Sequence, residues 1–95
     1  MLIFMRVEIP VEAGNAAIAS GDLPKVIQAF ADKFKPEALH FASGDGMRTI
    51  YAVFDMADAS DIPSVAEPFF TRLKARIDWQ PCMDLADLRA GLAKL

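Results

Sequence analysis

The sequence has 95 residues, of which 54% are hydrophobic and 24% charged, and this balance is typical of a single small folded domain over residues 1–95. The net charge of −3, with acidic and basic residues interspersed, argues against a nucleic-acid partner, which would need a basic stripe. No apolar run approaches membrane-spanning length, and Arg6 interrupts the apolar start before an export signal could form, so we expect a cytoplasmic protein without membrane contact.

The chain begins with a predicted strand followed by a two-part helical segment. Apolar residues alternate along residues 2–9, which predicts a strand. Residues 13–20 are expected to form only a short helical turn, which Gly21 closes. Asp22 is expected to cap a second, longer helix. The apolar stripe of that helix recurs at helical spacing and consists of Leu23, Val26, Ile27, Phe30 and Phe34.

Two further strands, over residues 37–43 and 47–56, are predicted to form a hairpin. A loop of two or four residues makes the apolar sets of the two strands match, and it places His40 beside Thr49 or Tyr51. The second strand of the hairpin is rich in β-branched and aromatic residues, with one wholly apolar face and one mixed face. This pattern predicts a strand in the middle of a sheet that helices cover on one side.

The remaining residues are predicted to form a helix, an edge strand and a last helix. Pro68 lies inside the first of these helices, over residues 62–73, and predicts a kink or a break there. Residues 77–83 are typical of an edge strand because they contain a proline. Asp84 is expected to cap the last helix, with Asp87 completing a capping box. The apolar side of the last helix, which needs a docking surface, consists of Leu85, Leu88, Leu92 and Leu95.

The order β-α-β-β-α-β plus a last helix predicts the α+β class, with a ferredoxin-like four-stranded antiparallel sheet. Two helices would cover one face of this sheet and leave the other face open. A monomer would then expose a sizeable apolar patch, and two copies packing sheet to sheet would cover it in a closed α/β barrel with a partly polar lumen. The residues expected on the open face are Leu2, Phe4, Arg6, Glu8, His40, Thr49, Tyr51, Val53 and Asp55.

Motifs at residues 9–15, 21–25, 35–38, 54–56 and 62–70 together span nearly the whole chain. On these motifs the chain resembles the dimeric α/β-barrel proteins, and more narrowly a group of small, uncharacterised bacterial members of that superfamily. The resemblance implies paired sheets around a central cavity. The superfamily includes cofactor-free monooxygenases, lactone isomerases, haem-degrading enzymes and stress proteins, but this chain carries no motif that assigns one of those activities to it.

Polar residues of the open face are the candidate site. His40, the only histidine, could act as a general base near Tyr51. The alternative is a structural histidine, buried or on an edge strand, whose hydrogen bonds are made within the protein. Arg6 and Glu8 share a face at i and i+2, so they could orient an anionic ligand or simply form a salt bridge in the lumen. Tyr51 could donate to a ligand carbonyl or anchor an interface. Thr49 completes the predicted ligand-binding set.

Two function hypotheses follow from these observations. In the first, the chain is a homodimeric α/β barrel that binds a small organic molecule and transforms it as a cofactor-free monooxygenase-like or isomerase-like enzyme. In the second, it is a non-catalytic regulatory or interaction module whose sheet face is only a dimer interface. We predict no cofactor and no metal, because one histidine and Cys82 cannot form a zinc site and the glycines at 44 and 46 belong to a turn.

Overall fold

A computed structural model describes residues 1–95 as an α+β fold with one four-stranded antiparallel sheet. The strands are β1 (Leu2–Ile9), β2 (Ala38–Ala42), β3 (Arg48–Asp55) and β4 (Arg76–Pro81). The helices are α1 (Val11–Ser20), α2 (Asp22–Phe34), α3 (Ile62–Leu73) and α4 (Leu85–Leu92), and short 3₁₀ turns occupy Gly44–Gly46 and Ala59–Asp61. No helix is both long and apolar enough to cross a membrane.

The sheet has the strand order β2-β3-β1-β4, so β1 and β3 are central and β4 is an edge strand. This arrangement confirms the central position that the two-faced pattern of β3 predicted. In the hairpin, Phe41 lies opposite Ile50 and His40 lies opposite Tyr51, which is the expected register, although the six residues 43–48, rather than two or four, separate the last pair. Pro81 ends the edge strand, where a missing backbone donor costs least.

The core lies between the sheet and the helices α2 and α3. Met5, Val7 and Phe54 project from the central strands toward the helices and are fully buried. Phe30 of α2 packs edge-on against Phe54, with 5.2 Å between ring centroids, and it also contacts Phe69 of α3. One aromatic cluster therefore joins both helices to the sheet. The helices cover the face of the sheet that the sequence predicted they would cover.

The first helical segment departs from the prediction. α1 is a full helix of ten residues rather than a short turn, and Gly21 ends it with a φ of 83°, which only glycine adopts readily. Because Gly21 also precedes α2 directly, the two helices follow each other without a linker. Asp22 does not cap α2, since its carboxylate accepts a hydrogen bond from Arg72 of α3 at 2.6 Å.

Of the kink or break predicted at Pro68, the break is absent, since α3 is continuous through this proline. Proline removes the backbone hydrogen bond that would reach the carbonyl of Ser64, and Ser64 is exposed, so water can satisfy that oxygen. Val65 and Phe69, on either side of the proline, are both buried against the sheet. Tertiary packing therefore keeps α3 intact where the local sequence predicted an interruption.

The last helix begins as predicted but does not dock. Asp84 accepts a hydrogen bond from the backbone of Asp87, and the Asp87 carboxylate accepts one from the Asp84 backbone, so the capping box is confirmed. No residue of α4 is buried. The leucine stripe therefore finds no docking surface within its own chain.

Candidate functional site

The open face of the sheet carries a polar row that crosses all four strands. Cross-strand pairing places His40 beside Tyr51, Tyr51 beside Arg6, and Arg6 beside Asp78. Directly paired residues on one face of an antiparallel sheet have Cβ atoms about 4.5–5.5 Å apart, so these four side chains are successive neighbours. The structure thus brings His40, Tyr51 and Arg6 of the predicted site into one line and adds Asp78 at its end.

Arg6 is held between two carboxylates. Its Nη2 donates to Oδ2 of Asp78 at 2.7 Å, and its Nε lies 3.3 Å from Oε1 of Glu8. The second contact is an ion pair without hydrogen-bond alignment, since Nε is buried and has no hydrogen-bond partner. The hydrogen bond between Arg6 and Asp78 lowers the pKa of Asp78 and raises the pKa of Arg6. The structure therefore supports the salt-bridge interpretation of Arg6 and Glu8.

Thr49 and Glu8 form the next row of the open face, and both are buried. The Thr49 hydroxyl lies 3.0 Å from the carbonyl oxygen of Met47 and 3.4 Å from that of Gly44, so its hydrogen is used in the turn that precedes β3. Glu8 faces Arg6 within its own strand. Both side chains are therefore used in contacts within the chain and are not free to bind a ligand.

A depression of about 350 Å³ lies on the open face, near the lower limit of roughly 300 Å³ for small-molecule pockets. The rings of Phe4 and Tyr51 stand 6.3 Å apart between centroids and tilt by 52°. The lining residues are Phe4, Arg6, Tyr51, Asp78, Trp79 and Gln80. Of the predicted ligand-binding residues, Arg6 and Tyr51 reach this depression, whereas His40 is exposed on the edge strand beyond Tyr51.

The sequence reasoning missed three of the lining residues, Asp78, Trp79 and Gln80, all of β4. Trp79 packs with Ile77 against the core on the helix side and only borders the depression, whereas Asp78 and Gln80 alternate with them. Strict alternation along this strand would have placed Asp78 and Gln80 on the open face. The charge arrangement also differs from the prediction, because Arg6 has two carboxylate partners rather than one.

The site residues do not gather into a cluster of metal ligands. No group of three or more His, Cys, Asp or Glu side chains converges in a way that could hold a metal ion. The available chemistry therefore consists of one imidazole, one phenol and a charge-compensated guanidinium above a partly aromatic floor. Such a set can donate and accept hydrogen bonds and can move a proton at His40.

Comparisons with known proteins bear on the fold alone. No protein-family model matches the sequence, and no curated protein matches it. Among solved structures, the chain is similar to "De novo designed protein Ferredog-Diesel", with a TM-score of 0.53 and 7% sequence identity over 85% of each chain. At this identity, the likeness shows a small α/β arrangement around a four-stranded antiparallel sheet.

Proposed function

We propose that this chain is a cytoplasmic homodimer of the ferredoxin-like, dimeric α/β-barrel type, with a small-molecule site enclosed between the two sheets. Two observations support the fold assignment. Helical segments connect β1 to β2 and β3 to β4, and the strand order from the other edge is β4-β1-β3-β2, as in a split βαβ arrangement. The five sequence motifs, which resemble those of a bacterial group in this superfamily, support the same assignment.

The exposure of the open face supports pairing of two sheets. Phe4 keeps 36% of its surface accessible in one chain, and Tyr51 and Val53 are only half-buried. A second sheet packed about 10 Å away would cover these side chains. It would also close the depression at Phe4 and Tyr51 on its open side, and the ligand would then lie in a lumen.

The electrostatics of the row favour a neutral ligand over an anion. The guanidinium of Arg6 is already neutralised by Asp78 and Glu8, so it has little positive charge to offer a carboxylate or phosphate. The Gln80 amide remains as a hydrogen-bonding group beside the rings of Phe4 and Tyr51, and the Tyr51 hydroxyl lies toward the turn at Gly44. A molecule with an apolar body and one carbonyl or hydroxyl group fits this lining.

The proposed reaction depends on His40 and Tyr51 of the polar row. His40 is next to Tyr51 on the neighbouring strand, and an imidazole can remove a proton from a ligand whose carbonyl or hydroxyl the phenol orients. Proton abstraction of this kind begins both isomerisation and cofactor-free oxygenation of activated carbon acids. The function that we propose is therefore cofactor-free, monooxygenase-like or isomerase-like, with Tyr51 orienting the ligand and His40 as the base.

Ligand-dependent melting shifts test this proposal. The probes are neutral phenols, lactones and quinols, each compared with a carboxylate of similar size. We expect a neutral probe to raise the melting temperature of the wild-type chain, and the shift to fall in Tyr51→Phe and His40→Ala. Ser64→Ala, which removes an exposed hydroxyl from α3, is the control and should keep the full shift. Equal shifts in all four proteins would contradict the proposed site.

A second candidate function is a non-catalytic regulatory or interaction module. It is favoured because polar groups of the open face are already used within the chain. Arg6 pairs with two carboxylates, and the Thr49 hydroxyl bonds to the turn before β3. In that case the face would only join two copies. A dimer that shows no melting shift with any probe, and no turnover of any, would favour this candidate.

A further inference from the structure

The leucine stripe of α4 is the largest unexplained apolar feature of the chain. α4 is a regular helix with a complete capping box, so it is well formed. Yet its apolar side is in water, with exposed fractions that run from 41% at Leu88 to 100% at Leu95. Met83, just before the helix, is also exposed. Exposed leucines at helical spacing are typical of a surface that a partner covers.

The segment of residues 83–95, here named the arm, extends away from the rest of the fold. Every residue in it is exposed. A compact chain of this length has a radius of gyration of about 12 Å, whereas the observed value is 14.8 Å and the longest dimension is 51 Å. An arm that leaves the body of its own chain in this way is typical of segments that two copies exchange.

The same chain carries an apolar groove beside the end of β4, which includes Gln80 and Pro81. The groove has a volume of about 290 Å³, and seven of its ten lining residues are hydrophobic. It lies where β1 begins, β3 ends and α3 begins, and Ile3, Met56, Ile62 and Trp79 contribute to its floor. Its size suits one or two leucine side chains from a helix.

The connection between the sheet and α4 is short. The backbone N–H of Cys82 donates to the carbonyl of Leu2 at 3.0 Å, so the chain is fixed to the sheet up to this residue. Only Met83 and Asp84 remain before α4 begins, and Asp84 is held as the helix cap. A connection this short favours a contact between chains over one within a chain.

We propose that the arm of each copy lies in the groove of a second copy of this chain, in a two-fold reciprocal exchange. Both surfaces are present on every chain, so one symmetric contact covers both at once. The arm, together with the groove, also offers about as many residues as one side of a standard interface, roughly 20–30. In one dimer the arm exchange and the proposed sheet-to-sheet pairing would act together, and the exchange needs no ligand.

Charge complementarity supports the choice of a second copy as the occupant. Arg89 and Lys94 of the arm have no carboxylate within ion-pair distance in their own chain. Asp58 lines the groove and Asp61 lies in the turn beside it, and neither forms an ion pair. The two acidic residues of the arm, Asp84 and Asp87, form the capping box at its start, so seating the later turns of the arm in the groove would bring charges of opposite sign together.

Disulfide trapping between differently labelled chains tests the exchange. In a Cys82→Ser background, one chain carries Leu92→Cys and the other carries Ile62→Cys, and the two are mixed and oxidised. We expect a covalent dimer that contains one chain of each kind. Phe70→Cys, which places a thiol at an exposed position of α3 outside the groove, replaces Ile62→Cys as the control and should give little crosslinked product. A chain with both Leu92→Cys and Ile62→Cys that crosslinks internally would overturn the proposal.

Sedimentation equilibrium with matched charged variants gives a second test. Leu88→Asp with Leu92→Asp places two charges on the leucine stripe, and Ala86→Asp with Ala90→Asp places the same two charges on the opposite side of α4. We expect the first pair to raise the dimer dissociation constant by at least about 100-fold and the second pair to change it little. Both pairs should keep the wild-type circular dichroism spectrum, since α4 supplies nothing to the core. Equal effects of the two pairs, or no effect of either, would overturn the proposal.

Discussion

The two faces of one sheet differ in what holds them together. On the helix side, Met5 and Phe54 are fully buried among apolar side chains. One residue away along the same strands, Phe4, Arg6 and Val53 remain partly exposed. The helix side is stabilised by close packing, whereas the open side is held by ion pairs and hydrogen bonds that water can replace. The comparison shows that alternation along a strand determines which face a side chain lies on. What packs against that face then determines how much the side chain contributes to stability.

The largest expected difference between the faces comes from the same truncation on each. Phe54→Ala should lower the free energy of unfolding by about 3–5 kcal/mol, because it opens a cavity beside Phe30 and Phe34. Phe4→Ala should cost less than about 1 kcal/mol within one chain, because more than a third of Phe4 is already in water. Urea unfolding at low protein concentration measures both, and equal losses would contradict the comparison.

A smaller effect is expected from the ion pairs of the open face. Arg6→Met leaves the buried carboxylate of Glu8 without its cation, so the variant should be less stable than the wild type at neutral pH. Arg76→Met is the control, because Arg76 lies beside Glu8 in the sheet but forms no ion pair. In a Glu8→Gln background the loss caused by Arg6→Met should shrink, which a double-mutant cycle measures. Additive losses would mean that the pair contributes nothing.

The smallest expected effect is the pH dependence of the Asp78 carboxylate. The hydrogen bond from Arg6 lowers the pKa of Asp78 in the folded chain, so the pair stabilises the fold above the ordinary aspartate pKa of about 3.9. That contribution is lost as the pH falls through the lower, folded pKa. Asp78→Asn should therefore flatten the loss of stability below about pH 4, and about 1 M salt should shrink the difference, because both groups are exposed.

Thermal unfolding from pH 2 to 6 measures this slope. Glu37→Gln, which removes an exposed carboxylate that has no ion pair, is the control and should leave the acid limb of the curve unchanged. If Asp78→Asn and Glu37→Gln gave the same acid limb, the pair between Arg6 and Asp78 would have no measurable effect on folding.

The parts of the fold that local rules determine could be predicted from the sequence. The apolar alternation of β3 predicted its central position, and the matching apolar sets predicted the partner of His40. The capping box at Asp84 depends only on residues three apart, and it is confirmed. Patterns that repeat every two or about every four residues are therefore sufficient to predict most strands and helices, and to predict which face of the sheet the helices cover.

The parts that depend on distant contacts could not be predicted. Pro68 is typical of a helix break, but burial of the residues around it keeps α3 continuous. Asp22 has the sequence of a helix cap, but Arg72 of α3 binds its carboxylate instead. Alternation could have placed Asp78 on the open face, but its pairing with Arg6, which is 72 residues away, could not be predicted. What covers the open face depends on a second molecule, so no pattern within one chain determines it.

The oligomeric state of matched variants tests the central claim that a second copy covers the open face. By sedimentation equilibrium at micromolar concentration, the wild-type chain should have twice the mass of one chain. Phe4→Asp, which places a charge on the open face, should shift the protein toward single chains, while Phe70→Asp, on an exposed position of α3, should remain a dimer. A wild-type protein that sediments as single chains, or a Phe4→Asp variant as dimeric as the wild type, would contradict the account.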